Sequence, residues 1–327
     1  MRFIERIEAP KRDQFFSIPG YHVWDPSVIR DETRGIWHLY GSRWPAAYGM
    51  SGWLTDSRIF RAEGDSPAGP FRFAEELTAL TEPAWSRHMN HNPKVMKIKG
   101  TYCLYYIGTR WNADGAACRK DRRSWERVWC NKRIGVATAE SPAGPWIPCP
   151  NNPVLDVRPG HWDCCLTSNP VAFEKDDSVY MIYKSAPQIG SQPFVQQLGL
   201  TVADHVCGPY RRTGRSPLFS HNIEDPYVWR EGDAYWMLSK DMTGNVCNVR
   251  QAGILYRSDD GVNWRLASEP LAYDLMVEWQ DGSRQSFQRL ERPHLYLEGG
   301  ASLCLYHAAL PGPGALAGIL ARRLRPW

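Results

Sequence analysis

No stretch of 18 apolar residues occurs in this chain of 327, so no transmembrane helix is expected. Basic runs and Lys/Arg-rich helices are missing, and the net charge is only +4, which argues against nucleic acid as a partner. The opening segment, MRFIERIEAPKRDQFF, lacks the apolar core of a signal peptide, which points to the cytoplasm. Nine cysteines are scattered without a CxxC pair, so zinc is not expected. Mostly reduced, buried thiols are the simplest reading, with Cys118 and Cys130 as a candidate bridge around a charged insertion. Walker A, GxGxxG, GxSxG and HExxH motifs are all absent. No helical periodicity is sustained, and no low-complexity linker divides the chain.

What is present is a repeat. Five X-Pro dipeptides each open a β-type run that ends in an aromatic-rich strand. Their prolines are Pro26, Pro93, Pro170, Pro226 and Pro293, at spacings of 67, 77, 56 and 67. Hairpins repeated at this period through the whole chain predict an all-β fold: a five-bladed β-propeller of four-stranded antiparallel blades around a central funnel, as one domain. Further hairpins follow, with turns such as SPAGPF (66–71), SPAGPW (141–146) and DDGVNW (259–264). The last blade has one clear outer strand, so the stretch from Arg2 to Ala9 is expected to pair there and close the ring. Insertions at 110–131 and 267–290 read as polar loops on one face.

A propeller gathers equivalent positions from every blade around its axis. Before the five prolines stand Asp25, Asn92, Asn169, Asp225 and Arg292, with Glu224 and Glu291 one residue earlier in blades 4 and 5. Glycoside hydrolysis needs one protonated and one ionised carboxyl group flanking the scissile bond. Asp25 and Glu224 lie on non-adjacent blades and are placed to face each other across the axis. An Asp before Pro is also a common turn starter, and 15 Trp serve blade packing as readily as sugar stacking.

This organisation resembles the five-bladed glycosidases that include glycoside hydrolase family 43 and the β-fructofuranosidases. WDP at 24–26 matches their blade 1 motif, and EDP at 224–226 matches their E-x-P motif. The resemblance implies Asp25 as base or nucleophile and Glu224 as general acid, acting on an oligosaccharide, with inversion favoured. The blade 3 match is TSNP, which puts Asn169 where the family has an Asp; Asn169 is then expected to hydrogen-bond a sugar hydroxyl, with Asp163 as a candidate substitute acid. The resemblance also suggests a channel-lining histidine in blade 5, His294 or His307. No cofactor is expected. A central Ca²⁺ is compatible with the fold, but no Asp-rich loop marks one.

Arg43, Arg110, Lys184, Lys240 and His307 stand near the ends of the second strands, and together they predict a cationic rim suited to an anionic sugar. Arg43-Trp44 and Arg110-Trp111 each pair a planar cation with an aromatic face. His91, beside Asn92, joins the expected substrate-binding set. Two alternatives are a glycan-binding propeller without activity and a lyase acting on anionic sugars.

Overall fold

The computed structural model describes residues 1–110, 115–190, 194–214 and 216–327. Five four-stranded antiparallel sheets form a β-propeller. The innermost strands are Tyr21–Asp31, Met89–Ile98, Ser168–Lys175, Ile223–Glu231 and Arg289–Glu298. Each carries its X-Pro dipeptide, and inner strands of successive blades pack side by side until the fifth meets the first. The second strands, Ile36–Pro45, Thr101–Thr109, Ser178–Ser185, Ala234–Asp241 and Ala301–Leu310, are rich in β-branched and aromatic residues. They are buried against both neighbouring blades.

The recurring outer turns dock onto the preceding blade. Tyr40 of blade 1 donates its hydroxyl to the Pro142 carbonyl at 2.6 Å, and Trp146 of the SPAGPW turn donates to Tyr40 at 3.1 Å. Tyr306 of blade 5 donates in the same way to Pro67 of the SPAGPF turn. Around Tyr40 the inter-blade core gathers Ile59, Val95, Leu104 and Trp146. Burying an aromatic side chain with its polar end satisfied is the most favourable use of such a residue.

The N-terminal segment does close the ring, but later in the chain than expected. The fourth strand of blade 5 is Phe15–Phe16, paired with Leu320 and Ile319. Residues Phe3–Arg6 form a short 3-10 turn instead, and only Ile7 makes an isolated bridge, to Leu324. Buried Arg6 donates to the carbonyls of Arg325 and Ser302, which fixes that turn.

Neither insertion is a simple loop. The first contains helices Gly115–Lys120 and Arg122–Cys130. Asp121 caps the second helix by accepting from the Ser124 and Arg123 N–H groups. Its Ser124, Val128 and Trp129 are buried, at helical spacing. The other insertion continues blade 4 as a long outer strand, Arg265–Tyr273. It then forms a small hairpin, Met276–Glu278 with Arg284–Ser286.

The cysteines also correct the expectation. Cys130 pairs with Cys165 rather than Cys118, and Cys149 pairs with Cys207. These bridges tie the helical insertion and the outer part of blade 2 to blade 3. No helix among the described residues is long and apolar enough to cross a membrane.

Candidate active site

Each inner strand breaks register at its X-Pro dipeptide. The shifts fall between Trp24 and Ser27, His91 and Lys94, Ser168 and Val171, Glu224 and Tyr227, and Glu291 and His294. The residue before each proline is left-handed, with φ of 57° at Asp25, 56° at Asn92, 48° at Asn169, 62° at Asp225 and 57° at Arg292. Asp and Asn tolerate this conformation best; an Arg there is strained. The bulges produce two tiers of side chains on the axis.

The lower tier is a chain of the five left-handed residues joined by hydrogen bonds and, between Arg292 and Asp25, by an ion pair. Asp25 accepts from Asn92 through its backbone N–H (3.1 Å) and its side-chain amide (2.9 Å). Arg292 Nε lies 3.2 Å from Asp25, and its Nη1 donates to Asp225 at 2.5 Å. Asn169 Nδ2 donates to Asp225 at 2.6 Å. On the axis side of this chain Lys94 Nζ lies 3.4 Å from the carbonyls of both Pro26 and Pro293. Burial pushes that amine down to about 8 against the opposing pull of Asp25 and Asp225. Among the described residues no group of three or more His, Cys, Asp or Glu is arranged to hold a metal ion, and this ammonium already supplies positive charge in the channel.

The upper tier comprises Trp24, His91, Ser168, Glu224 and Glu291, one residue earlier in each blade. Glu224 is clamped by Lys184 Nζ at 2.8 Å and Lys240 Nζ at 3.2 Å. Lys240 also reaches Glu291 at 2.5 Å. Burial alone would raise the Glu224 carboxyl, but the two ammonium groups hold it well below the usual range. Its neighbour Asp225 moves the other way. Burial outweighs the Arg292 guanidinium, the Glu224 charge adds to it, and the carboxyl is pushed up to about 6. Asp25 is fully buried, which would raise it, yet His91, Arg292 and Asn92 together hold it well below the usual carboxylate range.

His91 donates from Nε2 to Asp25 at 2.8 Å and accepts at Nδ1 from the Ser57 hydroxyl at 2.8 Å. Burial pushes its imidazole down, and this pattern suits the neutral ring. Trp53 stacks on it at 4.9 Å between centroids, and Trp44 meets it edge-on at 5.9 Å.

Above the upper tier opens a cavity of about 890 Å³ to which every blade contributes. Trp24, Trp44 and Trp53 wall it on the blade 1 side, and the helical insertion adds Trp125 and Trp129. Glu224, Lys184, Lys240, Glu291 and Arg292 are among its polar lining residues. Asp25, Asn92, Asn169 and Asp225 do not line it; they sit one tier below and act on it through His91 and Arg292.

The expected ring of cations reduces to Lys184 and Lys240. Strand pairing sets these two opposite Ser168 and Glu224, and it puts Ser42, Ile107 and Ala308 at the equivalent positions of the other blades. A one-residue offset reverses the face of a strand. Arg43 therefore turns outward to Glu76 at 2.9 Å and packs on Tyr21 and Phe73. His307 packs against Tyr273 and Arg322. Arg110 is exposed beyond its strand end, and Trp111 lies outside the described residues. His294 is buried between blades and accepts from the Val28 N–H at 2.8 Å. Asp163 is no substitute acid: Arg158, Arg212 and Tyr183 occupy its oxygens, and it does not line the cavity.

Sequence reasoning missed Lys132, Trp53 and Trp129. All three lie outside the repeat, on or beside segments linking strands, so no periodic signal marks them. The cavity role of Glu291 was visible in principle, because ERP at 291–293 repeats the acid-x-Pro spacing of EDP.

No protein-family model matches this sequence, and no curated protein matches it. Solved structures share its fold. A family 117 glycoside hydrolase from the marine bacterium Zobellia galactanivorans superposes with a TM-score of 0.68 at 16% identity, over 97% of this chain and 88% of that one. The catalytic domain of a family 62 α-L-arabinofuranosidase from Coprinopsis cinerea gives 0.62 at 13% identity, over 100% and 99%. A Cellvibrio cellulosa α-L-arabinanase mutant gives 0.59 at 16% identity, over 94% of each chain.

Proposed function

We propose that this protein is a glycoside hydrolase that removes a terminal, anionic sugar from an oligosaccharide with inversion. The observation that carries the reading is the floor of the cavity. Glu224 lines that floor beneath an aromatic wall suited to a sugar ring, and Asp25, from a non-adjacent blade, lies one tier below it, covered by His91 and Arg292. The five-bladed glycoside hydrolases that share the fold support the reaction class. Walls from all five blades favour a chain end over a strand passing through.

In this reading water attacks the anomeric carbon and gives a proton to Asp25, while Glu224 gives one to the departing oxygen. Asp25 is ionised, as a base must be. His91 and Arg292 cover it, so substrate entry has to displace one of them for water to reach it. Glu224 needs a proton that Lys184 and Lys240 oppose in the free site. An anionic substituent that engages a lysine supplies the change, by diverting the ammonium and adding its own negative charge. Asn169 bonds Asp225 rather than a sugar hydroxyl, so its part is to position the lower tier.

The test is sugar release from a panel of neutral and anionic oligosaccharides, with Asp25→Asn beside the wild type and the product anomer read by NMR. Release of the β-anomer from an α-linked sugar, or the converse, which Asp25→Asn abolishes, supports the reading. Silence across the panel from folded protein would favour a glycan-binding propeller, and products with the absorbance of unsaturated uronates would favour a lyase.

A further inference from the structure

Among the described residues, every cation lining the cavity except Lys132 meets a carboxylate. Lys184 and Lys240 hold Glu224, Arg292 bridges Asp25 and Asp225, Arg289 lies 3.9 Å from Glu291, and Arg122 pairs with Glu126. Lys132 is 1% exposed and lines the cavity; among the described residues its ammonium has no ion-pair partner, and it lies over two aromatic rings, Trp129 at 4.4 Å and Trp53 at 5.0 Å. Burial, with repulsion from Lys184 and Arg292, pushes the amine well below its ordinary range, and Glu224 offsets this only in part. A buried charge without a partner is costly.

The backbone holds this side chain in place. Lys132 follows the capped helix that ends at Cys130, and Cys130 is bridged to Cys165. Its own carbonyl accepts from the Thr167 N–H at 3.2 Å. The segment is thus fixed to blade 3 on both sides, and the amine projects into the cavity. The groups that act on its charge, Lys184, Arg292 and Glu224, belong to the cavity floor. An anion meeting Lys132 therefore lies on the sugar that sits over Glu224.

We propose that Lys132 is the specificity-determining residue of this cavity, donating a charge-assisted hydrogen bond to a carboxylate or sulfate ester on the bound sugar, with Trp53 and Trp129 flanking that group. This deepens the glycoside hydrolase reading and rests on it for which sugar is held at the reacting bond. The binding step itself needs no turnover.

The experiment is calorimetric titration of the full chain and of Lys132→Met with matched uronate-bearing, sulfated and neutral oligosaccharides. Wild type is expected to bind an anionic member at least tenfold more tightly than its neutral counterpart. Lys132→Met should lose roughly 10- to 100-fold on the anionic member alone. Binding confined to uronates assigns a carboxylate, and binding confined to sulfated sugars assigns a sulfate ester. Equal binding of the anionic member by both proteins, preference for neutral sugars, or no binding of any anionic member overturns the proposal. Methionine keeps the stem length and removes an unpaired buried charge, so the variant is expected to melt no lower than wild type; if it fails to fold, Lys132→Gln replaces it. Charge preference without hydrolysis would sink the hydrolase reading and leave Lys132 assigned, and hydrolysis without charge preference would do the reverse.

Discussion

Replacing Glu224 by Gln separates chemistry from structure at the centre of this site. The change keeps the shape and removes one charge. Lys184, buried with Glu224 as its one carboxylate partner among the described residues, is left as an ammonium facing a neutral amide; Lys240 retains Glu291. Breaking a buried ion pair from one side costs about 3–5 kcal/mol, and the remaining amide carbonyl keeps the cost near about 3 kcal/mol. An unfolding entropy of about 2.1 cal/mol/K per residue gives this chain about 0.7 kcal/mol per kelvin, so Glu224→Gln should melt about 4 °C lower. Adding Lys184→Met removes the stranded charge and should recover most of that loss. Turnover should separate from stability. The single and double variants should both fall by about 10²–10⁴-fold on a natural glycoside, the usual worth of a positioned proton donor. An aryl glycoside with a good leaving group should lose far less, since departure then needs no proton. Differential scanning calorimetry reads the first effect and product release the second. Unchanged turnover on the natural substrate would remove Glu224 from proton transfer, and an unchanged melting temperature in the single variant would show that the lysine clamp adds nothing to stability.

Other consequences follow from the same geometry. Asp25 and Glu224 are both held below the ordinary carboxylate range in the folded state. Each therefore contributes stability that is complete above its unfolded pKa and is lost as pH falls through the lower folded value. Asp225, pushed up to about 6, works in the opposite sense, and its contribution declines as pH rises from about 4 to 6. Melting temperatures measured from pH 7 to pH 2 should show a weaker acid-side decline in Asp25→Asn than in wild type; parallel curves would contradict the buried ion network. The two disulfides close loops of 35 and 58 residues, worth about 4 kcal/mol each by loop closure. Treatment with dithiothreitol should lower the melting temperature by roughly 5 °C or more per bridge, and a melt indifferent to reductant would argue against both.

The fold was legible because the X-Pro dipeptide marks each inner strand and the repeat fills the chain. The tiers were not, because a bulge moves each acid by one residue. In EDP the sequence presents two adjacent carboxyl groups, and only the left-handed turn at Asp225 decides that Glu224 faces the cavity while Asp225 joins the ring below. The same offset dispersed the expected cations: Arg43 and His307 stand one position away from the cavity-facing register. Lys132 and Trp129 were invisible for another reason. Trp129 belongs to, and Lys132 directly follows, an insertion whose nine-residue helix carries too few turns to announce itself, and its seat depends on a disulfide to another blade.

The five bulges also make the centre of the molecule a set of interchangeable sockets. Each socket presents one side chain upward and one downward, filled here by Trp over Asp, His over Asn, Ser over Asn, Glu over Asp, and Glu over Arg. Much of the inter-blade packing lies behind them, as in the cluster of Tyr40, Ile59, Val95, Leu104 and Trp146. Chemistry can therefore be rewritten socket by socket, and a library confined to the ten would vary the charge and reach of the floor while the surrounding barrel of blades stays the same.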